Sequence, residues 1–462
     1  MALLEGPKQM PANLTLDSLR DLVAEGEIDT VLTCVCDMQG RLMGKRFHAQ
    51  HFLDSGHEET HGCNYLLALD VEMATVPGYK SASWEKGYGD FVHKPDLSTL
   101  RRTPWLPGTA MVMADFLDHH GEPVAHAPRN VLKRQVERAR AMGFEPMMAT
   151  ELEFYLFEEG FEQLWDRRWR APTPVVRYNN DYGLFGSTKE EAVMRPLRNA
   201  LFAAGIPVEN TKGEAEAGQE EINIRYSDAL DTADMHSIVK QATKEIAQAQ
   251  GRSVTFMAKY DTNRAGSSSH IHQSLWTDGR NAFRDENGEH GMSATMRSYL
   301  AGLLAHAGEV TYFLAPYVNS YKRFTVGMFA PTKAVWSLDN RTAGYRVCGE
   351  GTKGVRVECR VGGADLNPYL ALAAQLAAGL KGIEMGLELE PEMAGDMYHA
   401  EGARSIPQNL REAAEALDGS AMLREAFGND VVDHYHRAAT WEISECDRVV
   451  TDWDLQRGFE RL

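Results

Sequence analysis

The chain has 462 residues, of which 48 are Lys or Arg and 66 are Asp or Glu, so its formal charge is −18. This length exceeds the usual size of one hydrophobic core and predicts two domains, while 43% hydrophobic and 25% charged residues exclude a mainly disordered chain. The acid excess argues against general binding to nucleic acid or to anionic membranes, because both need a basic face.

The first 118 residues are predicted to form a small mixed sheet flanked by a helix. A helix over residues 16–25 follows the cap residue Thr15, and a Met-Gln-Gly turn joins the first two strands into a hairpin. The strands are expected at residues 29–36, 41–47, 65–71 and 110–116. The turn-rich segment that begins at Asp118 is the predicted domain boundary.

Residues 119–462 are predicted to form a larger α+β domain with long antiparallel strands. Pro128 and Gly143 mark the start and the stop of its first helix. Further helices are expected at residues 189–204, 233–250 and 291–314 and near the C-terminus, and strands at residues 145–150, 151–158, 221–226, 253–259 and 270–276. The apolar stretch 369–386 contains charged residues, which predicts a buried helix rather than a membrane span.

The N-terminal segment and the cysteines predict a cytoplasmic protein. Residues 1–13 lack a basic stretch followed by an apolar core, so no secretory signal is recognised. The six cysteines have neither disulfide nor zinc spacing, and free thiols in a reducing compartment are expected.

Two pairs of glutamates suggest a metal site. Glu151 and Glu153 alternate with apolar residues in a strand pattern, so both project from one face and repel each other unless a cation lies beside them. Glu214 and Glu221 flank Ala217-Gly-Gln219, where a bend is needed to bring their carboxylates together. A solvent-facing strand edge is the alternative interpretation of the first pair.

Histidines and arginines on two further strands extend this pattern. His270 and His272 share one strand face, although such pairs are common at structural and surface positions. Arg356, Glu358 and Arg360 also share one face, which suits a phosphate group beside a metal ligand. Oxygen-rich ligands favour Mg²⁺ or Mn²⁺ over zinc, and no Walker A or Rossmann glycine motif is present. Together these residues predict a two-metal phosphoryl-transfer enzyme that uses ATP.

Nearly the whole chain resembles the type I glutamine synthetase family. The resemblance rests on motifs in the same order and spacing: Asp37-Met-Gln-Gly-Arg-Leu-Met-Gly-Lys-Arg46, Glu151-Leu-Glu-Phe154, Glu214 with Ala217-Gly-Gln-Glu-Glu221, Gly266-Ser-Ser-Ser-His-Ile-His272, Ser320-Tyr-Lys-Arg323, Asn340-Arg341, Arg356-Val-Glu-Cys-Arg360 and Asn367-Pro-Tyr-Leu370. It implies an α+β fold with a β-grasp N-terminal domain (residues 1–118) and a catalytic domain (residues 119–462). It also implies a dodecamer of two stacked hexameric rings, with each active site between neighbouring subunits.

The resemblance further implies a role for individual residues. Two metal sites are implied, each for Mg²⁺ or Mn²⁺: Glu153, Glu214 and Glu221 for the first, and Glu151, His270 and Glu358 for the second. The residues implied to hold glutamate are Gly266, Arg323 and Arg360. Those implied to line the ATP site are Glu209, His272, Ser274, Arg341, Arg346, Lys353 and Arg356. The implied catalytic residues are Arg323, Arg341 and Arg360.

Two positions depart from the pattern of true glutamine synthetases. In that family an aspartate of the small domain helps bind ammonium and a flap glutamate helps deprotonate it, whereas the matching positions here are His61 and Phe329. Ala265 also stands where an asparagine is usual, just before the glutamate-binding glycine. A carboxylate near ammonium contributes about 4 kcal/mol at an effective dielectric of about 20, against roughly 0.5–2 kcal/mol for an aromatic face. The missing acids therefore predict an amine larger than ammonium that packs against Phe329.

The expected reaction joins the γ-carboxylate of L-glutamate to an amine through γ-glutamyl phosphate, at the expense of ATP. A small alkyl monoamine such as ethanolamine is favoured, because no added carboxylate is found for the second cation of a polyamine. The alternatives are a ligase for putrescine and related polyamines, a glutamine synthetase using ammonium, a phosphagen-type kinase and a non-catalytic structural ring. The ring is disfavoured because all six matched metal ligands are present. Tyr398 lies near a tyrosine that some bacterial glutamine synthetases adenylylate, but the surrounding motif is not kept, and an ordinary surface residue is expected.

Overall fold

The computed structural model describes residues 9–462, which form a small N-terminal sheet and a large sheet, both flanked by helices. Residues 1–8, part of the segment for which no secretory signal is predicted, lie outside this range. The strands are β1 Thr30–Cys36, β2 Leu42–His48, β3 Thr60–Cys63, β4 Asp90–Pro95, β5 Arg101–Arg102, β6 Thr109–Leu117, β7 Glu145–Phe157, β8 Val208–Gly213, β9 Gln219–Ile224, β10 Ser227–Asp228, β11 Ser253–Thr255, β12 Ser269–Thr277, β13 Arg280–Asn281, β14 Trp336–Leu338, β15 Tyr345–Cys348 and β16 Arg356–Cys359. The helices are α1 Leu16–Ala24, α2 Ala49–His51, α3 Pro128–Ala141, α4 Phe161–Asp166, α5 Leu184–Ala203, α6 Ala229–Ala249, α7 Ala294–Ala305, α8 Ala307–Leu314, α9 Pro368–Met385, α10 Leu410–Asp418, α11 Ala421–Phe427, α12 Asn429–Asp447 and α13 Asp452–Gly458. Within residues 9–462, no helix has the length and apolar character needed to cross a membrane.

The small sheet combines the predicted hairpin with a parallel central pair. β1 pairs antiparallel with β2 and parallel with β6, and the strand order is β2-β1-β6-β4-β3, with β5 beside β6. The helix α1 covers this sheet, because its Leu19 is buried in one cluster with Val31 and Val112. Thr15 caps the helix, as the sequence predicts, and the structure shows that Thr15 and Ser18 form a capping box. The predicted N-terminal sheet domain is confirmed.

Five predicted elements need correction. The strand expected at residues 65–71 is wrong, because Asn64–Leu67 form a 3₁₀ helix and the side chain of Asp70 then accepts two backbone N–H groups and bends the chain. The strands expected at 145–150 and 151–158 are the single strand β7. The helix expected at 291–314 is divided at His306 into α7 and α8, and the strand expected at 253–259 ends early as β11.

The large sheet is built around β7, its longest strand. The strand order is β14-β15-β16-β12-β7-β9-β8, with β10 and β11 added to β7 and β13 added to β12. Apart from the parallel pair β14–β15, the pairings of this sheet among the described residues are antiparallel. One face of the sheet is apolar and packs into the main core through Leu152, Ile222, Ile271 and Val357. The residues that directly precede and follow each of these along its strand project from the opposite face.

The apolar stretch near the C-terminus is the buried helix α9, as predicted. Its backbone approaches that of α7 closely, which small residues permit. A Cβ atom at Gly302 would lie 2.3 Å from the carbonyl oxygen of Ala378, and one at Gly382 would lie 2.1 Å from that of Ser298. Glycine is therefore required at both positions for this helix pair to pack as it does.

A buried ion-pair network connects the small sheet to the helices behind the large sheet. Arg129 on α3 is buried and donates to Asp115 on β6 at 2.7 Å, to Asp96 at 2.8 Å and to Asp234 on α6 at 2.9 Å. The hydroxyl of Tyr369 on α9 donates to Asp234 at 2.6 Å. This network fixes the orientation of the two parts of the chain, whereas the boundary placed at residue 118 stays a prediction.

Candidate active site on the large sheet

Two clusters of polar side chains lie on the face of the large sheet that is turned away from the core. The cross-strand partners are Glu153 and Glu221, Glu151 and His270, and His272 and Glu358. The acidic cluster consists of Glu153, Glu214 and Glu221, and the histidine cluster consists of Glu151, His270 and Glu358. Within each cluster, one ligand atom per residue lies within 4.8 Å of the others, so each could hold one metal ion.

The acidic cluster contains more negative charge than its neighbours compensate. Gly218, with a φ of +70°, makes the bend that brings Glu214 toward Glu221, and Lys212 forms an ion pair with Glu214. Burial and the charge of Glu214 raise the pKa of Glu153 to about 7. Burial and the neighbouring glutamates raise the pKa of Glu221 to about 8. A divalent cation with oxygen ligands fits this set and would remove the repulsion.

Neutral groups orient the carboxylates of the acidic cluster. The backbone N–H of Ser268 donates to Oε2 of Glu153 at 2.7 Å, and the Gln219 amide donates to the same oxygen at 3.3 Å. The Asn223 amide donates to Oε1 of Glu221 at 2.8 Å. These bonds fix the carboxylates without neutralising them.

The charges of the histidine cluster are compensated by the chain itself. Burial opposes ionisation of Glu151, but contacts with His270 at 3.0 Å and His272 at 2.7 Å outweigh it and hold the pKa of this carboxyl well below its usual range. Glu358 is fully buried between Arg360, at 2.5 Å, and Arg346, at 2.9 Å. Burial raises its pKa, but neighbouring groups, Arg360 above all, outweigh this and hold the pKa at about 2.

Of the residues implied to line the ATP site, three join the histidine cluster. Nδ1 of His272 accepts from Nε of Arg356 at 3.1 Å, and Arg346 contacts Asp339 at 3.0 Å in addition to Glu358. Ser274 is half-buried farther along β12 and accepts from Trp276 at 3.0 Å. The other three residues of this set are exposed: Glu209, Arg341 and Lys353. Within residues 9–462, their side chains form no described bond to either cluster.

The residues implied to hold glutamate lie beside the two clusters. Arg323 is buried and donates to Oγ of Ser268 at 3.1 Å and to the carbonyl oxygen of Gly362 at 3.1 Å. Arg360, besides its contact with Glu358, donates through Nε to the carbonyl oxygen of Arg341 at 3.1 Å. A Cβ atom at Gly266 would lie 2.3 Å from Cγ of Arg323, so glycine is required for this arginine to pack.

The two positions implied to contact the amine are exposed. His61 lies on β3 of the small sheet, where its Nε2 is 3.7 Å from a carboxylate oxygen of Glu59. Phe329 is 54% exposed, has a φ of +52°, and shares an exposed apolar segment with Val326 and Met328. Within residues 9–462, neither side chain is joined to the clusters by a hydrogen bond or a ring contact.

Sequence reasoning missed several groups that contact the clusters. Gln219 and Asn223 lie two residues on either side of Glu221, and Cys348 lies two residues after Arg346, so strand alternation contained the signal for all three. The surface position expected for Tyr398 is wrong. Its side chain is half-buried with an enclosed hydroxyl, and burial raises its pKa although Arg323 and Arg360 oppose that shift.

Comparisons with known proteins agree with this geometry. The family model for the glutamine synthetase catalytic domain matches residues 125–458. Gamma-glutamylethanolamide synthetase GlnA4 of Streptomyces coelicolor is 49% identical over 451 residues, which cover 97% of this chain and 96% of that protein. Glutamate–isopropylamine ligase of a Pseudomonas species is 36% identical over 444 residues, covering 95% of this chain and 96% of that protein.

A solved structure described as apo GmaS without ligand has the same fold. Its TM-score is 0.84 at 28% sequence identity, over 95% of this chain and 98% of that chain. Enzymes of the matched family use ATP and divalent metal ions. The fold, the two ligand clusters and these similarities over nearly the full length lead to one conclusion: the chain belongs to the glutamine synthetase family and is an ATP-dependent carbon–nitrogen ligase.

Proposed function

We propose that this chain joins the γ-carboxylate of L-glutamate to a small alkyl monoamine such as ethanolamine, with ATP as the co-substrate. The observation that carries the proposal is the 49% identity, over nearly the whole of both chains, to a relative named for γ-glutamylethanolamide synthesis. The relative named for isopropylamine also takes a monoamine. Phe329, an apolar residue at the flap position, agrees with an amine that has a carbon chain.

We propose that the acidic cluster and the histidine cluster each hold Mg²⁺ or Mn²⁺, so that one active site contains two or more ions. Five of the six ligands are carboxylates, which hard divalent cations prefer. Burial and neighbouring carboxylates raise the pKa values of Glu153 and Glu221, and a bound divalent cation would offset both causes. When bound, such ions neutralise the phosphoryl oxygens during transfer.

The arginines around Glu358 are proposed to bind the transferring phosphate. Glu358 holds Arg346 and Arg360 in fixed positions, and Arg356 is held against His272. Planar guanidinium groups fixed in this way match phosphate oxygens and need little reorganisation during the reaction. The exposed members of the ATP set, Glu209, Arg341 and Lys353, are proposed to contact the nucleotide from the solvent side, with Ser274 farther along β12.

The proposed chemistry has two steps. An oxygen of the substrate γ-carboxylate, positioned by Gly266, Arg323 and Arg360, attacks the γ-phosphorus of ATP, and the bond to ADP breaks. The amine, as its free base, then attacks the acyl carbon of γ-glutamyl phosphate through its nitrogen lone pair. Phosphate leaves with the electron pair of the C–O bond, and the nitrogen loses a proton to solvent. Phosphorylation is needed because oxide is a poor leaving group, whereas phosphate is a good one.

Subunit assembly is proposed to complete the amine end of the site. His61 lies on the small sheet, apart from the clusters of its own chain, and a dodecamer of two hexameric rings would bring it to the active site of a neighbouring subunit. Phe329 would then cover the carbon chain of the amine. A cytoplasmic location is proposed as well, and it agrees with six cysteines that are all free thiols.

An amine panel tests the proposal. The full chain is incubated with ATP, L-glutamate and Mg²⁺ and with ethanolamine, isopropylamine, ammonium or putrescine, while phosphate release and product mass are measured. We expect fastest turnover with ethanolamine and a product with the mass of the γ-glutamyl amide. Preference for ammonium or putrescine would instead identify a glutamine synthetase or a polyamine ligase. A stable phosphorylated product would identify a kinase, and an assembled ring without turnover a structural protein.

A further inference from the structure

A third ligand cluster, here called the thiol cluster, lies beside the histidine cluster and consists of His272, Cys348 and Glu358. One ligand atom of each residue lies within 4.8 Å of the other two, and all three side chains are buried. Cys348 is the last residue of β15, and its Sγ is 3.6 Å from Oε2 of Glu358. None of the proposed catalytic steps uses this thiol.

Glu358 belongs to both clusters through different oxygens. Oε1 faces the histidine cluster, 3.5 Å from Nδ1 of His270, and also contacts Arg360. Oε2 faces the thiol cluster and contacts Arg346 at 2.9 Å. An ion bound at Oε2 would therefore compete with Arg346, while Oε1 would remain turned toward the histidine cluster.

His272 has a nitrogen that can act as a ligand in the thiol cluster. Its Nε2 contacts Glu151 at 2.7 Å, and its Nδ1 lies 3.1 Å from Nε of Arg356. A guanidinium group only donates hydrogen bonds, so Nδ1 is the acceptor and carries a lone pair. Arg356 is half-exposed, and its side chain can turn away to leave this lone pair to a cation.

The donor set of the thiol cluster differs from those of the two catalytic clusters. A thiolate, an imidazole and a carboxylate suit Zn²⁺ and other thiophilic cations, whereas Mg²⁺ prefers oxygen ligands. On binding, the Cys348 thiol releases its proton to solvent and forms an S–metal bond. The thiolate and the Glu358 carboxylate then balance the two positive charges of the ion.

We propose that His272, Cys348 and Glu358 form an inhibitory site for Zn²⁺ or a similar thiophilic divalent cation. Inhibition follows because the bound ion displaces Arg346 from Glu358 and Arg356 from His272, and both arginines are proposed to bind the transferring phosphate. The binding part of this proposal is independent of the reaction, and the inhibition part rests on the proposed function.

Co²⁺ spectroscopy tests the binding part. A thiolate–Co²⁺ bond gives a near-ultraviolet charge-transfer band that oxygen and nitrogen ligands do not give. Tag-free protein is titrated with Co²⁺ alone, for the wild type, Cys348→Ser and the control Cys446→Ser, which alters an exposed thiol outside the cluster. We expect the band in the wild type and the control and its loss in Cys348→Ser. A missing wild-type band, or a band that persists in Cys348→Ser, would overturn the proposal.

A competition assay tests the inhibition part. Amide formation is measured at fixed Mg²⁺ with increasing Zn²⁺, and each variant is referred to its own rate without Zn²⁺. Loss of a metal ligand should raise the Zn²⁺ concentration for half-inhibition at least about tenfold in Cys348→Ser. Cys348→Ala is the second variant, because a serine oxygen can replace sulfur in part. Equal sensitivity of the wild type and both variants would overturn inhibition at this site. Absence of turnover in every protein would contradict the proposed function and leave the Co²⁺ result to decide on the site.

Discussion

The acidic cluster and the histidine cluster lie next to each other on one sheet face, but they differ in whether the chain itself balances the charge of their buried carboxylates. In the acidic cluster, burial and neighbouring glutamates raise the pKa of Glu153 to about 7 and that of Glu221 to about 8. In the histidine cluster, burial also opposes ionisation of Glu358, but neighbouring groups, Arg360 above all, outweigh it and hold the pKa at about 2. The acidic cluster therefore depends on a cation from outside, whereas the histidine cluster is compensated by the chain.

The largest effect is expected when this internal compensation is removed. Glu358→Gln leaves the buried Arg360 without its carboxylate and removes one of the two partners of the half-buried Arg346, and breaking a buried ion pair costs about 3–5 kcal/mol. We expect the metal-free variant to unfold at a lower urea concentration than the wild type. Unfolding in urea with a chelator present measures this, and amide formation should fall at least about a hundredfold, because a metal ligand is also lost.

Glu221→Gln is the matched control for this variant. Above pH 8, where both carboxyls are ionised, it removes the same charge by the same substitution, but it relieves repulsion instead of breaking an ion pair. We expect the metal-free stability of Glu221→Gln to equal or exceed that of the wild type. If both variants lose stability to the same extent, the contrast between the two clusters is wrong.

The second effect is the response to metal. A ligand at about 100 times its dissociation constant stabilises the folded state by about 2.7 kcal/mol. Saturating Mg²⁺ should therefore raise the Tm of the wild type, and Glu221→Gln should need about 10–100 times more Mg²⁺ for the same rise. Thermal unfolding over a Mg²⁺ series measures this. Identical Mg²⁺ dependence in the two proteins would remove Glu221 from the metal site.

The third effect is the pH dependence of the metal-free protein. Glu153 and Glu221 have folded-state pKa values above the usual 4.5, so their contribution to stability is complete below pH 4.5 and is lost as pH rises through about 7 and 8. Glu358 has the opposite sign, because its contribution is present above pH 4.5 and is lost as pH falls toward about 2. Other buried groups titrate over the same range in both proteins, so the comparison is with Glu221→Gln: between pH 5 and pH 8 in chelator, the urea midpoint of the wild type should decrease relative to that of the variant. A difference between the two midpoints that does not change with pH would contradict the assignment.

The sequence predicted which residues share a strand face but not their partners across the sheet. Alternation alone placed Glu151 beside Glu153 and His270 beside His272, because side-chain direction along a strand is a local property. That Glu221 pairs with Glu153 depends on the register between β7 and β9, which tertiary packing sets.

The sequence predicted the ligands of the two clusters better than it predicted the difference between their pKa shifts. This difference depends on Arg346, which reaches Glu358 only after β15 and β16 have paired, whereas Arg360 lies two residues after Glu358 and its contact is local. The strand wrongly expected at residues 65–71 also depended on information that the local sequence lacks. A short apolar run is compatible with a strand and with a turn, and here a 3₁₀ helix and the backbone contacts of Asp70 form instead.

The smallest effect is expected at the flap, where a family carboxylate is absent. Phe329→Glu restores an acid that attracts ammonium, and Phe329→Gln is the uncharged control of similar size. A carboxylate contributes about 4 kcal/mol to a nearby cation at an effective dielectric of about 20, against roughly 0.5–2 kcal/mol for an aromatic face. Because Phe329 is 54% exposed, solvent screening reduces this difference, and we expect the kcat/KM ratio of ammonium to ethanolamine to rise at least about tenfold in Phe329→Glu only.

The control decides what such a rise means. Both variants remove the aromatic surface, so a loss of ethanolamine turnover common to both measures packing of the carbon chain against Phe329. An increase in ammonium turnover found only in Phe329→Glu measures the added charge. If the ratio rises equally in both variants, the lost apolar contact rather than the missing acid selects the amine. The flap would then act by shape, unlike the two clusters on the sheet, where charge decides what is bound.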